Sequence, residues 1–162
     1  IPRWSFNMEM FFLVRRLEDL QAIASSDEVI IQDRKIFEGV NIFVRNNYEM
    51  GNLSERDYKA YMELYSVMMA MVKEPDLLIY LRSSIQRLVG HITKRGRGYE
   101  QGMSIDYLKR LNERYEEWIA SYKGNVLIID ADDLDFENRA EDFSFITDKI
   151  DSRLYGLFNE NR

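Results

Sequence analysis

The chain has 162 residues, 46% of them hydrophobic and 31% charged, and its 22 basic against 28 acidic side chains give a formal net charge of −6. That length suits one domain with a substantial core, and two prolines and eight glycines are too few for a disordered or low-complexity chain. The negative balance speaks against general affinity for nucleic acid, and the lack of cysteine excludes disulfides, thiol catalysis and cysteine metal sites.

In chain order, the first residues lack the charged-then-apolar order of a signal peptide. No apolar run approaches the roughly 20 residues of a membrane span. The expectation is a cytoplasmic protein, one domain over 1–162, without nucleic-acid or membrane partners. From Met8 to Val14 nearly every position is apolar except Glu9, so a helix here should be buried or paired with another chain. Glu9 and Arg16 are seven apart and share a helix face. Glu9 is either exposed by register or a functional polar group in a pocket.

Three short runs read as strands covered on both faces of a parallel sheet: Val29 to Arg34, Leu77 to Arg82 and Val126 to Asp130. Helical patterns lie between them. Tyr58, Tyr61, Met62, Tyr65, Met68, Met69 and Val72 form a stripe after Ser54, an N-cap with Asp57 three residues on, and Pro75 closes that helix. The stripe reads as core or dimer surface. A second helix is predicted from about Ser104 to Tyr122, and a third from Arg139 to Leu157. Strands alternating with such helices predict an α/β fold, whose ligands sit beyond the carboxyl ends of the strands.

Those ends direct attention to Asp33 and Arg34, to Arg82 through Ser84, and to Asp130 through Phe136. Asp33 and Arg34 are either a ligand-facing pair or a structural salt bridge. Lys94, Arg95 and Arg97 lie among Gly96, Gly98 and Gly102. They read either as a solvated helix end or as a mobile arginine loop that stabilises transferring phosphate. His91, the only histidine, is a helix-end residue near Lys94 or a contact for a nucleotide base. A single histidine argues against a histidine-based metal site or triad.

The ordered set RWSF (Arg3 to Phe6), Arg16, QDR (Gln32 to Arg34), FEG..IF (Phe37 to Phe43), EPDLLIYLR (Glu74 to Arg82), KRGRGYEQGMSIDYL (Lys94 to Leu108) and RYEEWI (Arg114 to Ile119) resembles the deoxyribonucleoside kinases. The bacterial branch acting on deoxyadenosine and deoxyguanosine is the most similar. The resemblance implies the P-loop kinase type of parallel sheet flanked by helices. It implies transfer of the γ-phosphoryl of ATP, with Mg2+, to the 5′-hydroxyl of a deoxynucleoside in nucleotide salvage, by a homodimer. Lys94 to Gly102 would be the lid, with Arg95 and Arg97 on the transferring phosphate and Glu100 on the sugar 3′-hydroxyl. Arg34 would lie near the substrate 5′-end, with Asp33 helping to place the metal. Arg16 corresponds to the arginine at the base-binding end and Phe43 to the aromatic that stacks on the base. Asp135 and Phe136 resemble the loop around the donor's adenine, which His91 would also approach.

Four departures accompany the resemblance. No G-x-x-x-x-G-K-[S/T] occurs. In the family that loop, its strand and the general-base carboxylate lie upstream of RWSF, so the expectation is a partial chain lacking N-terminal strands. Lys35 stands where the family has serine. Glu9 replaces a glutamine, and Gly39 an aspartate that supports Arg16 and the base, which raises the possibility of Glu9 pairing with Arg16. The rival to the kinase is a catalytically inactive kinase-like structural or regulatory subunit. A nucleoside monophosphate kinase on the same fold matches the motifs less well.

Overall fold

The computed structural model describes residues 2–34, 36–98 and 103–156. Lys35 and Glu100 therefore lie outside the described residues, as does the end of the proposed lid. The chain divides into two compact units: Ile1–Glu74 with Lys109–Ala120, and Pro75–Leu108 with Ser121–Arg162.

The first unit is helical. Helix α1 spans Pro2–Ala24 and packs against α4, Glu55–Met69. Ser5, Glu9, Leu13 and Leu20 recur at helical spacing on the buried side of α1. Its other side leaves Trp4, Met8, Phe11, Phe12 and Val14 exposed, so the apolar run marks an outward face. The predicted cap of α4 is present: Ser54 Oγ accepts from the Asp57 backbone N–H at 3.1 Å. Helix α4 ends at Met69, earlier than the stripe to Val72 implies, and the backbone N–H groups of Met71 and Val72 close onto Met68 and Met69 in a tighter turn.

Between α1 and α4, residues 36–49 wind as one helical run in three parts: α2 (Ile36–Glu38), a π-helical segment (Gly39–Val44) and α3 (Arg45–Glu49). The junction residues Glu38 and Arg45 keep ordinary helical angles, so the wide turn is an insertion within a continuous helix. Ile36, Val40, Ile42 and Val44 are buried and supply much of this unit's core. Each such burial contributes about 1.5–3 kcal/mol against solvent exposure. Arg114 of α6 (Ile105–Ser121) pairs with Glu49 and, at 3.1 Å, with Glu117, which also pairs with Arg45.

The predicted strand at Val29 to Arg34 is absent; these residues are irregular. Val29 and Ile31 are 89% and 92% exposed. Apolar composition alone does not make a strand when no neighbouring ladder takes up its backbone groups.

The second unit holds two parallel strands, β1 (Leu78–Arg82) and β2 (Val126–Asp130), in register from Leu78 opposite Val126 to Arg82 opposite Asp130. Both match the predicted runs to within a residue. Helix α5 (Ile85–Arg95) follows β1, and α7 (Ala140–Tyr155) packs against β2. Among this unit's described residues Ile129, Ala131 and Ile146 are the buried apolar ones. This parallel pairing between helices bears out the α/β class.

Candidate functional site

The predicted residues divide between the two units. Glu9, Arg16, Asp33, Arg34, Gly39 and Phe43 fall in the first, and His91, Arg95, Arg97, Asp135 and Phe136 in the second.

In the first unit, α1 carries Glu9 inward, where it is 4% exposed. Its Oε1 accepts from Asn47 Nδ2 of α3 at 2.8 Å. Burial pushes the Glu9 carboxyl above its ordinary range, against the Asn47 hydrogen bond and the more distant positive charge of Arg16, which both favour the ion. The expected pairing of Glu9 with Arg16 is therefore corrected: Asn47 is the hydrogen-bond partner, and Arg16 acts through its field. The Arg16 side chain lies over Phe12 at 5.6 Å and reaches Gly39, where a methyl group would run into its Nη1. Gly39 thus makes room for the guanidinium at the start of the π-helical segment. Tyr61 of α4 is 1% exposed, and its hydroxyl lies near the same spot. Burial and then the Glu9 charge hold Tyr61 well above the ordinary phenol range, so it is a neutral donor at working pH.

Arg34 stands at the end of the irregular segment with φ of 59°, in the left-handed region that a non-glycine residue seldom occupies. Its guanidinium lies 5.6 Å from the centre of the Phe43 ring, carried by the π-helical segment. Such a backbone costs about 1–3 kcal/mol and marks sites where position outweighs local stability. Tyr115 of α6 connects these groups: after burial, the charges that act on its hydroxyl are those of Glu38, Arg34, Arg16 and Asp33. Asp33 is exposed beside Arg34. The structure therefore places Glu9, Arg16, Gly39 and Phe43 and the Asp33–Arg34 corner in one unit. Asn47, Glu38, Tyr61 and Tyr115 join them without having been singled out as site residues. Tyr61 and Tyr115 left a signal, a phenol on the apolar stripe of a helix, where the polar tip requires a partner.

In the second unit, α5 starts at Ser84, whose Oγ accepts from the Arg87 backbone N–H at 3.2 Å. It ends at Arg95, where Gly96 takes a φ of 65°. His91, Lys94 and Arg95 are exposed at spacings that place them on one side of its last turns. Arg97 follows the cap and is also exposed. After β2, residues 131–139 form a loop with its own hydrogen bonds. The Asp135 N–H donates to Asp142 Oδ2 at 2.7 Å, and Asn138 Nδ2 donates to Asp135 Oδ1 at 2.8 Å. The Asn138 bond, helped by the charges of Lys94 and Arg139, holds the Asp135 carboxyl below its ordinary range. The Phe136 ring is exposed. The end of β1 thus leads into the capped start of α5, whose far end is basic, and the end of β2 into an ordered loop with an open aromatic ring.

Among the described residues, no three carboxylate or histidine side chains converge as a metal-binding group. Also among them, no helix is long and apolar enough to cross a membrane.

The description of the deoxynucleoside kinase family matches residues 1–154. The deoxyadenosine/deoxycytidine kinase of Bacillus subtilis (strain 168) is 33% identical over 156 residues, covering 94% of this chain and 72% of the relative. The deoxyguanosine kinase of the same organism is 30% identical, covering 90% of this chain and 72% of the relative. Among solved structures, deoxyadenosine kinase from M. mycoides with bound dATP superimposes with a TM-score of 0.78 at 30% identity, over 93% of this chain and 76% of that one. With the family match across nearly the whole chain, the chain belongs to the deoxynucleoside kinase family.

Proposed function

We propose that this protein transfers the γ-phosphoryl of ATP to the 5′-hydroxyl of a deoxynucleoside, preferentially a purine one, as a homodimeric cytoplasmic enzyme of nucleotide salvage. The observation that carries the proposal is the gathering of Glu9, Arg16, Arg34 and Phe43 in one unit, with Arg34 held in a costly backbone against Phe43. An inactive remnant has no use for that position.

The base is assigned to Glu9, Arg16 and Phe43, with Gly39 shaping the place of Arg16. Arg34 is assigned to the 5′-end, where its fixed guanidinium neutralises phosphate charge. Arg95 and Arg97 serve the transferring group from the lid, 94–102, and Glu100 the sugar. Asp135, Phe136 and His91 are assigned to the donor's adenine. A magnesium ion that takes most of its ligands from triphosphate and water needs only one or two carboxylates. The exposed Asp33 beside Arg34 fits that donor set, and the ion, when bound, neutralises charge on the phosphates. The exposed aromatic side of α1, with Leu64 and Val67 of α4, supports the dimer.

Two expected outcomes test the assignment. Arg97→Ala should lower kcat by about 10²-fold while calorimetry shows deoxynucleoside binding nearly unchanged. Equal loss of both would remove the lid from its role. Gly39→Ala should cost little stability, because only the flexible tip of Arg16 must move. Its KM for deoxynucleoside should rise about tenfold, with KM for ATP unchanged.

A further inference from the structure

The turn after β2 is tied to the first turn of α5 through one carboxylate. Asp132 Oδ1 accepts from Ser83 Oγ at 2.8 Å and from the Ser84 backbone N–H at 2.7 Å. Ser84 is the N-cap of α5, so Asp132 grips the residue that starts that helix. Two other bonds run alongside it. The Ala131 N–H donates to the Arg82 carbonyl at 2.8 Å, and Arg87 Nη2 of α5 donates to the Leu134 carbonyl at 3.4 Å. The Arg87 charge also favours the ionised Asp132, after the hydrogen bonds from Ser84 and Ser83. Beyond this junction the loop carries Asp135 and Phe136, and at its other end α5 carries Lys94 and Arg95, with Arg97 just past its cap.

We propose that Asp132 is a positioning residue that fixes the loop 131–139 to the start of α5, so that the donor-base loop and the helix bearing the basic turn move as one piece. The proposal rests on the donor assignment made above. Asp132 touches neither substrate nor reacting atoms; it acts through Ser83 and Ser84. The oxygen that accepts both bonds survives in asparagine and is lost in alanine. A charge-independent acceptor role therefore predicts rescue by Asp132→Asn, and the Arg87 charge then contributes little.

The test uses the full-length protein and three variants, Asp132→Ala, Asp132→Asn and Ser83→Ala, each measured for steady-state KM of ATP and of deoxynucleoside, calorimetric binding of ADP, and Tm. Asp132→Ala is expected to raise KM for ATP and weaken ADP binding about tenfold, with KM for deoxynucleoside unchanged. Asp132→Asn should stay within about twofold of the parent, and Ser83→Ala should fall between them. A lowered Tm with both KM values and ADP affinity unchanged would overturn the proposal, as would an equal rise in both KM values. If Asp132→Ala fails to fold, normal ADP binding by a folded Ser83→Ala would overturn it. Absence of phosphoryl transfer in a parent protein that binds ADP would instead sink the kinase assignment, while the effect of the variants on ADP binding still decides the role of Asp132.

Discussion

Arg34→Ala is expected to lower kcat by about 10³-fold, the scale on which an arginine stabilises transferring phosphate, with deoxynucleoside affinity within about threefold of the parent. Arg34 combines a guanidinium held against Phe43 with a left-handed backbone that disfavours any side chain. Local folding does not favour arginine there, so the charge is the property that matters. Arg34→Gly separates the two contributions. Glycine accepts the left-handed angle at no steric cost, so this variant should exceed Arg34→Ala in stability by about 1 kcal/mol and remain equally slow. Arg34→Lys should recover little, because an ammonium lacks the planar fork. Denaturant melts and single-turnover kinetics on the three variants give both numbers. A kcat near the parent value in Arg34→Ala would remove Arg34 from the transfer step.

Glu9→Gln carries the second large effect. An ionised carboxylate only accepts hydrogen bonds, whereas an amide both donates and accepts. The Watson–Crick edge of guanine offers neighbouring ring and amino donors; that of adenine offers an amino donor beside a ring acceptor. The substitution should therefore shift the kcat/KM ratio toward deoxyadenosine over deoxyguanosine by about 10–100-fold, the discrimination of one paired set of hydrogen bonds. It should also change stability with pH. Burial raises the Glu9 proton affinity in the folded protein above that of the unfolded chain, whose ordinary value is near 4.5. The folded state then binds the extra proton, and this contribution, complete below that ordinary value, is lost as pH rises through the raised one. Glutamine suffers no such loss. The Tm advantage of Glu9→Gln should therefore grow from acid toward neutral pH. Parallel Tm profiles would show that burial does not govern Glu9, and an unchanged base ratio would move the base away from it.

Much of the scaffold was legible because it follows local rules. The Ser54 cap and the apolar spacing locate α4, and β1 and β2 show as short branched runs. Val29–Arg34 misled for the same reason: hydrophobicity reports burial or pairing only where a neighbour exists, and there Val29, Ile30 and Ile31 face solvent. The π-helical segment was hidden because Gly39–Val44 is a mostly apolar stretch with no signature of an extra residue per turn. In the candidate site, Arg16, Arg34 and Phe43 were visible through the order of motifs. Asn47 was not, and Asp132 and Ser83 fell within the flagged strand ends without any sign that they pair, since the partners lie 38 and 49 residues away in sequence and only the tertiary fold brings them together.

The most direct test of the central claim is ATP-dependent phosphorylation of the four deoxynucleosides by the full-length protein, read as formation of the 5′-monophosphate. Transfer to deoxyadenosine or deoxyguanosine that disappears in Arg34→Ala is the predicted result. A folded protein that binds deoxynucleoside and ATP yet forms none of the four monophosphates would contradict the account.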